Sequence, residues 1–268
     1  MAPLGREYAA TPVTLKEAFG IRRGEVVSLV GGGGKTTLMF ALAQELALAG
    51  ELVITTTTTR ILEPSASETP RLIVQRDEDE MVRLLMEDLA KYRHVTLAVE
   101  RLPAGKLKGI SPELVVRLAE IAPGAFIIVE ADGAARKPLK APGPNEPVIP
   151  PNTSLVIPVV GIDALGCFLT EEFVFRAEIA SALLGLPLGE VVSPEAVAIL
   201  VTHRRGMTKG SPDEARIVPF INKVDLGGAM PKARDLAAKI LAMKHPQINR
   251  VVLGQARLPE AVLEIVGA

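Results

Sequence analysis

Val26-Val27-Ser28-Leu29-Val30 runs into Gly31-Gly32-Gly33-Gly34-Lys35-Thr36-Thr37 and then into an apolar helical pattern that ends at Ala49. An apolar strand, a glycine turn and a helix start, in that order, form the setting of a phosphate-binding loop. Glycine lets the backbone turn sharply and aim successive N–H groups at phosphate oxygens, an approach that side chains would obstruct. The helix N-terminus adds its partial positive charge. In this reading Gly31, Gly32, Gly33 and Gly34 cradle the phosphates of a nucleoside triphosphate. Lys35 reaches the β and γ phosphates, the Thr36 hydroxyl coordinates Mg²⁺, and Thr37 assists at the phosphates.

The spelling departs from GxxxxGK[ST], which needs glycine where Leu29 stands; here it is GxxGKTT. That shorter form resembles the phosphate loop of the Mur ligase group, and the glycine-dense GGGGKTT also resembles nucleotide switches of the SIMIBI class. The plain alternative is a glycine-rich turn with a chance lysine.

Outward from this loop, short β-branched runs alternate with longer helical patterns, which predicts an α/β fold: a mostly parallel sheet with helices on both faces. Strands are expected over 25–30, 52–56, 95–99, 126–130, 155–160, 217–221 and 251–253. Helices are expected over 35–49, 77–92, 112–122 behind the N-cap Ser111, 171–184, 194–201 behind Ser193, and 231–243. Residues 137–151, rich in proline, read as an extended loop. Residues 1–268 read as a single nucleotide-binding domain, with 170–201 as a helical insertion that interrupts the strand alternation.

With 48% hydrophobic and 23% charged residues the chain should fold, and a formal net charge of -1 supplies no global field toward nucleic acid or membrane. Aromatics at 3% with no Trp leave no base-stacking platform. The lone Cys167 excludes an internal disulfide framework and multi-cysteine metal sites. Residues 1–11 hold no apolar signal region, and no apolar run approaches the ~18 residues of a membrane span. The expected location is the cytoplasm.

The run Phe126 to Val129 ends in Glu130-Ala131-Asp132-Gly133, where a Walker B segment would sit, at the carboxyl end of a strand. Asp132 is the metal candidate; Glu130 would orient or deprotonate water, or share the metal. The ExxG formed with Gly133 is also a switch-region spelling of SIMIBI GTPases. Thr55 to Thr59, ending at Arg60, offer hydroxyls to phosphate, or are simply a threonine-rich strand.

Asn222-Lys223-Val224-Asp225 matches NKxD. Asp225 would accept from guanine N1 and N2 protons, Asn222 would hold the loop, and the Lys223 stem would cover the base. Adenine lacks that donor pair, so GTP is favoured; if Asp225 merely caps a turn, ATP is the nucleotide. Two basic turns, Arg136-Lys137 with Lys140 and His203-Arg204-Arg205 with Lys209, read as grips for a second anion or as solvated surface. Cys167 reads as a small core residue, and His94 and His245 carry no signal.

VGGGGKTTLMFALA from Val30, EADGAARKPLKAP from Glu130, VVGIDALG from Val159, HRRGMTKG from His203 and FINKVD from Phe220 together resemble the YqeC family of selenium-dependent molybdenum hydroxylase accessory proteins. The resemblance implies a cytoplasmic nucleotide-binding maturation factor whose client is a molybdenum hydroxylase or its cofactor. SIMIBI relatives add, by analogy, a homodimer closing over nucleotide. Three functions are consistent with the residues: a Mg²⁺-dependent GTPase or ATPase catalysed by Lys35, Glu130 and Asp132; an ATP-dependent ligase or transferase acting on a cofactor precursor; and a non-catalytic nucleotide-sensing scaffold.

Overall fold

The computed structural model describes residues 12–257 and 260–267. The expectation that residues 1–11 hold no targeting segment lies outside the described residues.

The main sheet runs in the order β15 (Val262–Gly267), β14 (Arg250–Gly254), β13 (Phe220–Asn222), β10 (Leu155–Gly161), β1 (Val26–Gly31), β8 (Phe126–Glu130), β2 (Val53–Thr57), β5 (His94–Ala98), β4 (Leu72–Val74), with β12 (Arg216–Ile217) also on β10. Its pairings are parallel except for β14 with β15. From β1 the chain skips one place to β2, builds outward to β5 and β4, returns to insert β8 between β1 and β2, and then adds β10 on the other flank of β1. The C-terminal end of β1 is therefore a switch point, where open α/β sheets bind ligands.

Strand residues alternate between the two faces with period 2. Val27, Leu29, Ile128 and Ile157 pack under α1 (Leu15–Phe19) and α2 (Lys35–Leu48). Ile54, Val95, Ile127 and Val129 meet α3 (Glu78–Tyr92) and α4 (Pro112–Ile121). Val30, Val160, Ile221 and Leu253 meet α5 (Ala177–Leu184), α6 (Pro194–Thr202) and α7 (Ala229–Ala242). The starts of α3, α4 and α6 follow side-chain caps: Asp77 accepts from the Glu80 N–H, Ser111 from Leu114 and Ser193 from Ala196.

Three expectations need correction. The strand expected over 217–221 is split into β12 and β13 around Pro219, which has no N–H to give a ladder. The helix expected from Glu171 begins only at Ala177, because Val174–Phe175 (β11) extends to pair with Leu139–Lys140 (β9), itself inside the expected loop. Residues 60–62 and 100–108, left between the expected strands and helices, carry a separate antiparallel sheet of β3 (Arg60–Leu62), β7 (Lys106–Lys108) and β6 (Glu100–Leu102) beside the carboxyl edge. Among the described residues no helix is long and apolar enough to cross a membrane.

Candidate functional site

The glycine turn is packed against the ends of β8 and β10. An added Cβ at Gly33 would lie 2.1 Å from the Gly161 nitrogen, and at Gly34, with φ of +121°, 2.4 Å from Asn222 Nδ2. Neither position accepts a side chain. Gly31 N–H donates to Asp132 Oδ2 at 3.2 Å, Gly32 N–H to the Val159 carbonyl and Gly33 N–H to the Lys137 carbonyl, both at 2.9 Å. Beyond them α2 opens without a side-chain cap, and among the described residues the amides of Gly34, Lys35, Thr36 and Thr37 have no acceptor. Four N–H groups and a helix dipole thus face the cleft, a ready anion receptor.

Lys35 is buried, and its Nζ donates to the Gly31 carbonyl at 2.7 Å while lying 3.2 Å from Asp132 Oδ1 and 3.7 Å from Glu130 Oε1. Burial alone would lower its pKa, but the attraction of Asp132 and Glu130 outweighs that and holds it above the ordinary lysine value. Thr36 Oγ1 donates to Glu130 Oε2 at 2.6 Å. Burial pushes the Glu130 carboxyl above the usual range, beyond what Lys35 and Thr36 offset. Of the two acids at the β8 end, Glu130 meets the loop hydroxyl and Asp132 meets lysines.

Lys140, fully buried, is the second of those lysines. Its Nζ lies 3.0 Å from Asp132 Oδ2 and donates to Glu146 Oε2 at 2.7 Å and to the Gly133 carbonyl at 2.6 Å. Arg176 also bonds Glu146. Burial would raise the Glu146 carboxyl, but Arg176 and Lys140 together hold it below its ordinary value. Lys140, expected as a free cation in a basic turn, is instead a clasp with every donor engaged. Sequence reasoning missed it because its counterions, Asp132 and Glu146, flank it at unremarkable spacings.

Asn222 joins the tetrad to the phosphate loop. Its Nδ2 donates to the Gly33 carbonyl at 2.8 Å, and its Oδ1 accepts from the Lys223 and Ala256 amides, each at 2.9 Å. Lys223, at φ +65°, pairs with Asp163 at 2.6 Å, and Asp225 is exposed at the turn that follows. Lys223 lines the same cleft as Gly33 to Thr37, a space of about 1530 Å³.

Other candidates lie elsewhere or are spent. The Thr55 hydroxyl is within hydrogen-bond distance of His94 and Thr96, and the Thr57 hydroxyl donates to the Glu130 carbonyl; both are buried. Only Thr58 and Thr59 reach the cleft. Burial drives the His94 pKa down to about 4, so the ring is neutral at physiological pH. Lys209 donates to the Gly143 and Pro144 carbonyls beside a separate cavity of about 500 Å³. The Cys167 thiol contacts the Asp163 carbonyl at 3.1 Å, and burial with the nearby Asp163 pushes its pKa up, away from nucleophile duty.

Among the described residues no group of three or more His, Cys, Asp or Glu side chains is placed to hold a metal. A divalent ion here would depend on ligand oxygens in addition to the adjoining Thr36 hydroxyl and Glu130 carboxylate. That pair of hard oxygen donors suits Mg²⁺.

Comparison with known proteins gives three findings. The apo GTPase PAB0955 of Pyrococcus abyssi superposes with a TM-score of 0.37 at 17% identity, covering 87% of this chain and 91% of that one. An Escherichia coli (strain K12) protein described as "Uncharacterized protein YqeC" is 33% identical over 202 residues, 75% of this chain and 77% of the relative. The family model described as YqeC protein matches residues 27–178. With more than half of its length matched, and its phosphate loop and acidic strand inside the match, the chain belongs to the YqeC family.

Proposed function

We propose that the protein binds a Mg²⁺-nucleoside triphosphate, GTP in preference to ATP, and hydrolyses it. The observation that carries this reading is the Asn222 bridge, because one side chain ties Gly33 of the phosphate loop to the NKxD turn and to Ala256. Base and phosphate readers are thereby set at a fixed spacing. The four free amides and Lys35 take the β and γ phosphates, and Asp225 reads guanine. Thr36 and Glu130 hold Mg²⁺, which when bound neutralises phosphate charge; Asp132 steers Lys35. Water attacks the γ phosphorus, the bond to the β-γ bridging oxygen breaks, and nucleoside diphosphate and orthophosphate leave. Catalysis is positioning and charge stabilisation rather than covalent chemistry. From the family resemblance, this turnover serves maturation of a selenium-dependent molybdenum hydroxylase or its cofactor.

A second reading, ATP-dependent group transfer to a precursor, is favoured by the size of the cleft, which exceeds the ~300–1,000 Å³ of an ordinary single-ligand pocket. Equilibrium binding of non-hydrolysable GTP and ATP analogues with Mg²⁺ separates the two. GTP preference that drops about tenfold in Asp225→Asn supports the GTPase. ATP preference unaffected by Asp225→Asn supports transfer, and binding of neither nucleotide overturns both.

A further inference from the structure

The cleft is lined by nine cationic side chains against five carboxylates, on a chain whose formal net charge is -1. At the phosphate loop Lys35 has Glu130 and Asp132, and at the tetrad Lys223 has Asp163, with Arg136, Lys137 and Arg257 lining the cleft beside them. A second group, Arg60, Lys106 and Lys108, stands on the opposite wall, the small sheet of β3, β7 and β6. There the antiparallel register sets Arg60 opposite Lys108, and Lys108 opposite Glu100. Ile61 and Leu107 are buried in the core beneath, so alternation turns Arg60 and Lys108 outward.

Like charges directly opposite on neighbouring strands repel. Glu100 pairs with Lys108 at 3.6 Å but also bonds Arg76, while Arg60 has no ion-pair partner among the described residues. The next rung on the same face sets Leu62 opposite Lys106, and Leu62 is 41% exposed. The wall therefore combines an unpaired Arg60, a Lys108 that shares Glu100 with Arg76, and an exposed apolar side chain, inside a cleft larger than one ligand requires.

We propose that this face binds a second small molecule that carries an oxyanion, a phosphate ester or a carboxylate, beside an apolar body. Arg60 and Lys108 hold the anion and Leu62 packs against the body. A guanidinium fork beside an ammonium suits either oxyanion, and two cations match a phosphate dianion best. Simultaneous occupancy with nucleotide rests on the function proposed above; anion binding at the face does not.

The test is calorimetric titration of the full chain with phenyl phosphate and with benzoate, each with and without a non-hydrolysable GTP analogue and Mg²⁺. Expected is saturable binding that the nucleotide does not displace, weakened about tenfold in the double variant Arg60→Gln/Lys108→Gln, whose GTP-analogue affinity stays within about twofold. Both changes are at exposed positions, and far-UV circular dichroism checks the fold. Tighter phenyl phosphate assigns the phosphate ester, and equal or tighter benzoate assigns the carboxylate. Lys35→Ala should lose nucleotide and keep the probe; if nucleotide binding fails in the wild type while the probe binds, the nucleotide reading falls and this face stands. No saturation by either probe up to about 10 mM, displacement by nucleotide, or unchanged affinity in the double variant overturns the proposal.

Discussion

The two walls of the cleft use the same kinds of charged side chain in opposite ways. On the sheet-edge wall Lys140 is 0% exposed and Lys35 3%, and the three cations Lys35, Lys140 and Arg176 are matched by Glu130, Asp132 and Glu146. On the small-sheet wall Lys108 is 55% exposed, and Arg60 and Lys106 have no ion-pair partner among the described residues. Desolvation explains the difference. A charge taken out of water must be matched on site, whereas a hydrated charge can wait for a ligand. Buried charges here set positions, and exposed ones are available for capture.

The largest expected effect tests the matched wall. Lys140→Met leaves Asp132, Glu146 and the Gly133 carbonyl without their shared donor, and should cost about 3–5 kcal/mol by urea denaturation. A loss below ~1 kcal/mol would erase the distinction between the walls. Next in size, Lys35→Ala should weaken nucleotide binding by about a hundredfold or more, some 2.7 kcal/mol, in analogue titrations. Retained affinity would mean that the four free amides suffice.

The pH dependence sharpens the same contrast, since the buried Glu130 and the half-buried Glu146 act with opposite sign. The raised Glu130 pKa means that the folded state binds the extra proton, so its contribution is present below 4.5 and is lost as pH rises through the folded value. The lowered Glu146 pKa acts the other way: its contribution is present above 4.5 and is lost as pH falls through the folded value. Denaturation midpoints across pH should show Glu130→Gln flattening the upper limb and Glu146→Gln the lower. Smallest is the effect on the exposed wall, where Arg60→Gln/Lys108→Gln should change stability by no more than about 0.5 kcal/mol in thermal melts. A larger loss would make those cations structural.

The sheet-edge wall was largely legible in the sequence because its chemistry is local. A strand, four glycines, Lys35 and Thr36 lie within one stretch, and strands 126–130 and 220–222 end in the acids and the tetrad that the switch point brings beside it. Which acid meets Thr36 was not legible, since Glu130 and Asp132 are two residues apart on one strand end and only packing separates them. The opposite wall was invisible for a different reason. Its strands are three residues long, with a single buried apolar residue in β3 and in β7, Ile61 and Leu107, too few to generate a period. Lys140 was misread because a lysine in a proline-rich loop looks solvated, and nothing nearby announces that β11 will cover it, with the Phe175 ring 5.6 Å from its ammonium.

Three of the four loop glycines already spend their N–H groups on Asp132, Val159 and Lys137. The receptor is thus assembled before any ligand arrives, and little ordering is left to accompany capture. In kinetic terms, nucleotide association should be a single phase whose observed rate climbs linearly with concentration and reaches no plateau, so that affinity is governed by how slowly the ligand departs.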